Sequence, residues 1–117
     1  MNETIFKQRT RAIALQVIGL VEELPRGRTA DIIGRQLLRS ATSVGANYLA
    51  SCRGKSVADV LAKLAIVEEE SDESSYWLEL LLESGIASPE RIVPLQREMN
   101  EITAMIVASI KTLRGRR

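Results

Sequence analysis

Apolar side chains recur along the chain at alternating spacings of three and four residues, in four separate stretches. In the first stretch these positions are Phe6, Thr10, Ile13, Val17, Leu20 and Leu24. A three–four spacing places the apolar side chains on one side of an α-helix, where they pack against neighbouring helices. The pattern predicts four helices, at about residues 2–24, 29–53, 56–84 and 89–113.

Proline, glycine and capping residues separate these four stretches. Pro25 and Gly27 break the first from the second, Thr29 is the predicted N-cap of the second helix, and Gly54 and Gly85 end the second and third. Connections this short make consecutive helices antiparallel. The sequence therefore predicts an all-α fold, with a single domain over residues 1–117 that forms an up-down-up-down antiparallel four-helix bundle.

The composition excludes several classes of function. The chain has 117 residues with 3% aromatic residues, no histidine and one cysteine. Without histidine there is no Ser-His-Asp or Cys-His triad and no histidine-ligated metal, and a single cysteine forms no disulfide within the chain. The sequence shows no signal peptide or membrane span. We expect a cytoplasmic protein that has no cofactor and no small-molecule substrate, with Cys52 reduced and buried as a small core residue.

The charges divide the chain into a basic half and an acidic half. The total is 16 Lys and Arg against 15 Asp and Glu, but residues 1–55 carry nine basic and four acidic side chains while residues 56–117 carry seven and eleven. Hairpins of opposite charge are expected to face each other. An even basic coat, which is typical of nucleic-acid binders, is absent.

Three stretches of the second and third helices carry a family resemblance. Residues 38–48 read LRSATSVGANY, residues 52–56 read CRGKS and residues 70–78 read ESDESSYWL. This chain resembles the four-helix-bundle proteins named for open reading frames in 23S rRNA intervening sequences. The resemblance implies a homo-oligomer, a pentamer in particular, without known enzymatic activity and with a possible association with RNA. A distant related group serves as accessory subunits of reverse transcriptases.

The leading hypothesis is a non-enzymatic, homo-oligomeric assembly protein that presents a surface to an RNA or protein partner. It depends on apolar residues beyond those a lone bundle needs: Ile5, Leu15, Ile18, Leu38, Leu49, Leu61, Leu82 and Val107. The alternatives are a module that binds structured ribosomal RNA through a basic C-terminal rim and an accessory subunit of a nucleic-acid enzyme. A nuclease with a carboxylate-bound metal ranks last.

The C-terminal cations are the candidate nucleic-acid contacts. They are Lys111, Arg114, Arg116 and Arg117. Four positive charges at the end of a helix can contact phosphates without reading sequence. The alternative is that they only complement the dipole at the helix C-terminus.

Charged residues of the second and third helices are predicted to form an ion-pair network. Antiparallel pairing places Arg39 opposite Glu70, and Arg35 and Arg39 on either side of Glu73. Charges in such positions fix the register of two helices. The alternatives are solvated charges and an all-carboxylate magnesium site.

The remaining motif residues are interpreted as structural. Asn47 is predicted to hydrogen-bond a facing helix or the turn near Gly54, with contact to a partner at a subunit interface as the alternative. Arg53 belongs to the matched motif and lies beside Cys52. Tyr76 and Trp77 are adjacent on a helix, so one is expected in the core and the other outside, and the pair is interpreted as core or subunit-interface residues rather than as a nucleic-acid stacking platform.

Overall fold

The computed structural model describes residues 2–116 and consists of four helices joined by short turns. They are α1 (Glu3–Glu23), α2 (Arg28–Ser51), α3 (Val57–Glu83) and α4 (Pro89–Arg114). None of the described residues forms a strand. The molecule is a rod of 48 × 21 × 20 Å. The predicted all-α fold is confirmed, and the helix ends lie within two residues of the predicted ones.

Each helix packs against the two helices next to it. The contacting pairs are α1–α2, α2–α3, α3–α4 and α1–α4, whereas no described Cα atoms of the diagonal pairs come within 8 Å. Arg9 near the start of α1 meets Glu98 in α4, and Arg91 near the start of α4 meets Glu23 at the end of α1. These crossed positions show that the helices run antiparallel, which confirms the up-down-up-down bundle.

The core consists of one continuous cluster of apolar side chains from all four helices. Phe6, Leu37, Leu78 and Met99 are among the largest fully buried ones. Their burial is the main source of stability, since a large apolar side chain contributes about 1.5–3 kcal/mol when it leaves water. No helix within residues 2–116 combines the length and the apolar character that crossing a membrane requires.

The prediction of Thr29 as the N-cap of the second helix is wrong. The Asp31 N–H donates to the Gly27 carbonyl at 3.0 Å, so helical bonding starts at Arg28 with Gly27 as the cap. The third helix ends as predicted, because Gly85 adopts φ +77 directly after the last turn of α3. That left-handed conformation favours glycine.

The expected burial of Cys52 is also wrong. Helix α2 ends at Ser51, whose side chain is buried, and Cys52 begins the turn towards α3 and is exposed. The inward-facing position at the end of α2 is Ser51, three residues after Tyr48, and a step of four residues from Tyr48 to Cys52 overshoots it.

Candidate functional site

The matched motif begins with an ion-pair network on the outer side of α2 and α3. Arg39 Nη1 lies 3.3 Å from Glu70 Oε2, and Arg39 Nη2 contacts the Glu73 carboxylate. Arg39 Nε also donates to Gln36 Oε1 at 3.4 Å. The Arg39 contacts agree with the predicted pairing of the two helices, and their role in fixing the register stays a prediction.

The expectation that Arg35 also contacts Glu73 is wrong. Arg35 Nη2 lies 2.9 Å from Asp31 Oδ2, one turn earlier on its own helix. A carboxylate at i−4 is within easy reach of an arginine on the same helix. Of the two arginines, only Arg39 contacts Glu73 in the described structure.

The carboxylates of α3 are not arranged as a metal site in this structure. Within residues 2–116, no three Asp, Glu or Cys side chains are grouped in a way that could hold a metal ion. The Arg39 guanidinium contacts both Glu70 and Glu73. A cationic side chain between these carboxylates supplies the positive charge that a metal would otherwise supply.

Buried hydroxyl groups join three of the four helices. Ser74 Oγ donates to Ser40 Oγ at 2.9 Å between α3 and α2, and Thr103 Oγ1 donates to Ser71 Oγ at 2.9 Å between α4 and α3. The Oγ atoms of Ser40, Ser71 and Ser74 also lie 3.2, 2.9 and 2.9 Å from a backbone carbonyl oxygen of their own helix. The sequence pattern places Ser71 and Ser74 on the inner side of α3, but gives no signal of these partners.

Asn47 bonds within its own helix, so its predicted contact with a facing helix or the Gly54 turn is wrong. Its Nδ2 donates to the Ser43 carbonyl at 2.9 Å and to Ser43 Oγ at 2.8 Å. The nearby Gly45 lies against Thr10 of α1, where an added Cβ would meet Thr10 Oγ1 at 3.4 Å. The small residues of this motif therefore permit the close packing of α1 on α2.

Tyr76 and Trp77 diverge as adjacent helical residues do. Tyr76 is 54% exposed, whereas Trp77 is half-buried against the core. The two rings meet edge to face with centroids 5.1 Å apart. Trp77 Nε1 is buried and has no hydrogen-bond partner in the described structure.

Sequence reasoning missed a second network, between α1 and α4. Arg9 Nε and Nη2 donate to the two oxygens of Glu98 at 3.0 and 2.6 Å, and Nη2 also reaches Glu101 at 3.1 Å. The hydrogen bond to Glu98 raises the pKa of Arg9. A bidentate arginine–carboxylate pair is stronger and more specific in its geometry than a neutral hydrogen bond. The available signal was the presence of opposite charges at facing positions of the first and last helices.

The predicted C-terminal cations lie at one end of the bundle together with other basic residues. α1 begins there, α2 turns into α3 there, and α4 ends there. The basic end comprises Lys7, Arg53, Lys55, Lys63, Lys111, Arg114 and Arg116, and its carboxylates are Glu3 and Asp59. Arg117 lies outside the described residues.

Only one cation of the basic end pairs with a described carboxylate. Lys7 Nζ lies 2.8 Å from Glu3 Oε1, which lowers the pKa of Glu3 and raises the pKa of Lys7. Asp59 instead accepts from the Lys55 backbone N–H at 3.1 Å. The end therefore carries a clear surplus of positive charge.

Large apolar side chains also lie on the bundle surface. Those at least 37% exposed are Ile5, Leu15, Ile18, Ile32, Leu49, Ile66, Tyr76 and Val107. Five of the residues predicted as surplus are among them. Leu38, Leu61 and Leu82 instead pack into or against the core, because the helices are close enough to cover residues beside the central stripe.

A groove of about 490 Å³ runs between the outer sides of α1 and α2. Its lining includes small residues such as Ala14, Gly45 and Ala46, together with Lys7 and Arg11 of α1. Leu49 lies at the end of the groove that is nearer the basic end, and it is half exposed. The groove thus combines an apolar floor with cations on one wall.

These features define a small antiparallel helical bundle whose motif residues hold helices together and whose outer surfaces are apolar or charged. The sequence matches the 23S rRNA-intervening sequence protein family over residues 2–108, and the chain belongs to that family. A crystal structure of a Bacteroides thetaiotaomicron protein of unknown function, from the S23 ribosomal protein family, has the same fold. It is 30% identical with a TM-score of 0.87, and the match covers 95% of this chain and 99% of that chain. No curated protein matched.

Proposed function

We propose that the protein is a non-enzymatic, homo-oligomeric assembly protein whose bundle presents a surface to a macromolecular partner. The observation that carries this proposal is the exposure of large apolar side chains on a bundle whose core is already complete. Apolar surface of this kind on several helices is typical of faces that other subunits cover. The pentamer implied by the family resemblance is our first expectation for the number of subunits.

Gel filtration with light scattering, together with native mass spectrometry, tests the oligomer. We expect a single species of about five times the 13.0 kDa chain mass. A monomer at high micromolar concentration would contradict the proposal. A stable oligomer of another size would correct only the number of subunits.

The absence of enzymatic activity is part of the same proposal. In the carboxylate run of α3, Arg39 pairs with Glu70 and Glu73. Neither the family name nor the description of the Bacteroides protein mentions an enzyme. The cytoplasmic location and the absence of a cofactor or small-molecule substrate stay predictions.

RNA binding through the basic end is the second candidate function. The observation in its favour is that Arg53, Lys55 and Lys63 join Lys111, Arg114 and Arg116 at one end of the rod. Lysine and arginine bind nucleic acid chiefly by neutralising phosphates and releasing counterions. In an oligomer whose rotation axis follows the bundle axis, the basic ends share one rim, where weak contacts reinforce one another. An accessory subunit of a nucleic-acid enzyme would use the same rim.

Fluorescence anisotropy with a labelled ribosomal RNA stem tests this second function. We expect affinity to fall steeply between about 50 and 200 mM salt, and to be lost on removal of residues 111–117 or in the double variant Arg53→Gln, Lys55→Gln. Arg97→Gln is the matched control, because Arg97 is an exposed arginine in the middle of α4, away from the basic end. An intact oligomer that does not bind the stem would leave a protein as the partner.

A further inference from the structure

We infer that the α1–α2 groove of one copy receives the outward edge of α3 from the next copy, so that the subunits join head to tail. We call this edge the α3 ridge. It consists of exposed residues that recur at alternating spacings of three and four along α3: Ala62, Ala65, Glu69, Asp72, Tyr76, Glu79 and Glu83. The inference rests on the proposed homo-oligomer and specifies which surfaces meet in it.

The positions of α1 and α3 in the bundle fit a head-to-tail contact. They form a diagonal pair without direct backbone contact, so the outer sides of α1 and α3 face away from each other. A contact that joins two different surfaces of identical subunits is heterologous, and it forms a ring when the rotation closes. Complementary surfaces on two different sides of one subunit close such a ring when the angle between them matches the number of subunits.

Small side chains lie on both surfaces, close to the basic end of the bundle. The groove floor is made of small side chains, among them Ala14, Gly45 and Ala46. Leu49 is exposed at the end of the groove nearer the basic end. The part of the α3 ridge nearest the basic end consists of Ala62 and Ala65, which are also small and exposed. The ridge of one helix packs well into a groove between two others when small residues let the backbones approach.

The charges of the two surfaces are complementary. Arg11 beside the groove and Arg28 at the start of α2 are exposed and form no ion pair with a described carboxylate. On the ridge, Glu69 and Asp72 are exposed and likewise lack a described cation. Charge complementarity of this kind selects the partner surface and its orientation.

At the upper end of the ridge, Glu79 and Glu83 likewise form no ion pair with a described cation. Glu79 and Glu83 lie one turn apart on α3, and the hydrogen bond with Glu79 raises the pKa of Glu83. Two like charges at this spacing destabilise a helix unless a cation lies between them. A neighbouring copy that brings Arg28 to this position would remove that repulsion.

The levels of these residues along the bundle also agree. The Ser40–Ser74 hydrogen bond and the contact of Gly45 with Thr10 set the relative heights of α1, α2 and α3. Counted from them with a rise of about 1.5 Å per residue, Arg11 lies close to the level of Glu69, and Ile18 close to that of Tyr76. Arg28 lies within about one helical turn of Glu83. Rotation about an axis along the bundle preserves these levels, so the opposite charges meet without sliding.

Two blocking variants and their mixture test the head-to-tail contact. Ala46→Arg fills the groove, Ala65→Arg obstructs the ridge, and Ala104→Arg places the same side chain on the exposed side of α4 as the matched control. Circular dichroism checks that all three fold, and light scattering at high micromolar concentration gives their mass. We expect a monomer for each blocking variant, a 1:1 dimer when the two are mixed, and wild-type mass for the control.

The mixture is decisive because each blocked chain keeps one working surface. A groove-blocked chain still offers its ridge to a ridge-blocked chain, and the pair then has no free complementary surfaces. If both blocking variants keep the wild-type oligomer, or stay monomeric after mixing, the inference is overturned while the homo-oligomer stands. If the wild-type chain is itself monomeric, the proposed function fails first.

A charge exchange identifies the contact independently of steric blocking. We expect Arg11→Glu and Glu69→Arg each to lower the mass to that of a monomer, and the double variant to recover the wild-type mass, because the opposite charges still meet across the interface. Arg97→Glu is the control for a charge reversal elsewhere on the surface. Single exchanges that leave the oligomer intact would overturn the assigned contact.

Discussion

Small side chains determine how closely the chain approaches itself in this bundle. Gly54 lies in the turn between α2 and α3, and a Cβ added there would overlap Val60 Cγ2 and come within 3.2 Å of the Val60 Cα. Gly19 in α1, in contrast, has nothing within 4 Å of such a Cβ. A side chain at position 54 would therefore clash with Val60, whereas position 19 has room for one, and alanine substitutions distinguish the two cases.

Gly54→Ala is expected to destabilise the protein and Gly19→Ala is not. The added methyl at position 54 forces the turn away from Val60, at a cost of about 1–3 kcal/mol. At position 19 it gains up to about 1 kcal/mol, because alanine is the better helix former. Urea denaturation followed by circular dichroism measures both changes in the free energy of unfolding. Equal stability of the two variants would contradict the close contact at Gly54.

Cys52 is expected to react slowly with alkylating reagents although it is exposed. Partial burial of its thiol is the main cause of its raised pKa, and the Glu3 carboxylate adds to it. A raised pKa lowers the fraction of reactive thiolate at neutral pH, so the rate should increase with pH up to and beyond the ordinary thiol range. Iodoacetamide labelling of the native chain from pH 7 to 10 measures this rate.

The unfolded chain in guanidinium is the control for that experiment, since its Cys52 has an ordinary pKa. The native pH profile should be displaced to higher pH relative to the unfolded one. Coincident profiles would show that the fold does not perturb the thiol.

Polar side chains link three pairs of neighbouring helices: α1 with α4, α2 with α3, and α3 with α4. Arg39 bridges α2 to α3, Arg9 bridges α1 to α4, and the Ser40–Ser74 bond joins α2 to α3 inside the bundle. Apolar packing tolerates small slides of one helix along another, whereas these contacts are satisfied in one register only. We therefore expect the motif of the second and third helices to fix how these two helices align.

Arg39→Met is expected to lower the free energy of unfolding by about 1 kcal/mol, because Glu70 and Glu73 lose the cation between them. The effect is modest because the Arg39 side chain is half exposed. Arg35→Met is the control, because Arg35 pairs with Asp31 on its own helix and with no other described carboxylate. A pair of that kind contributes about 0.3–0.5 kcal/mol. A double-mutant cycle with Glu70→Gln measures the coupling. An unchanged melting temperature and oligomer in Arg39→Met would contradict the role in register.

Charge is distributed unevenly over the whole molecule. One end is basic, while the outward edge of α3 is acidic. Electrostatics at this scale guides association with partners and with other copies rather than the fold itself. The exposed apolar residues then supply the contact area that charges alone do not.

The melting temperature is expected to rise with protein concentration. Assembly stabilises the folded chain by mass action, by up to about 1.4 kcal/mol for each tenfold increase in concentration above the dissociation constant. Calorimetry between about 5 and 500 μM measures the shift, and Ala65→Arg is expected to abolish it. A melting temperature that is independent of concentration would mean that the bundle gains no stability from its neighbours.

Much of the fold was predictable because helix periodicity is local information. The inner residues of α1, from Phe6 to Leu20, follow directly from the three–four spacing. The Arg39 contact with Glu70 followed from one antiparallel turn of known position. Thr29 was misplaced because the start of a helix depends on which backbone groups bond. Cys52 was misplaced because the next inward position after Tyr48 is reached by a step of three residues, to Ser51, and not by a step of four. Asn47 was misplaced because a partner on its own helix competes with one on a neighbouring helix.

The sequence by itself determined the four helices, their antiparallel order and the family, since each depends on spacing, short connections or a contiguous motif. The tertiary structure alone decided which surfaces remain free. The basic end, the α1–α2 groove and the α3 ridge each combine residues from distant parts of the chain or depend on what the other helices leave uncovered. Spacing predicts which residues face inward, but which outward-facing residues a neighbouring helix covers is a property of the packed bundle.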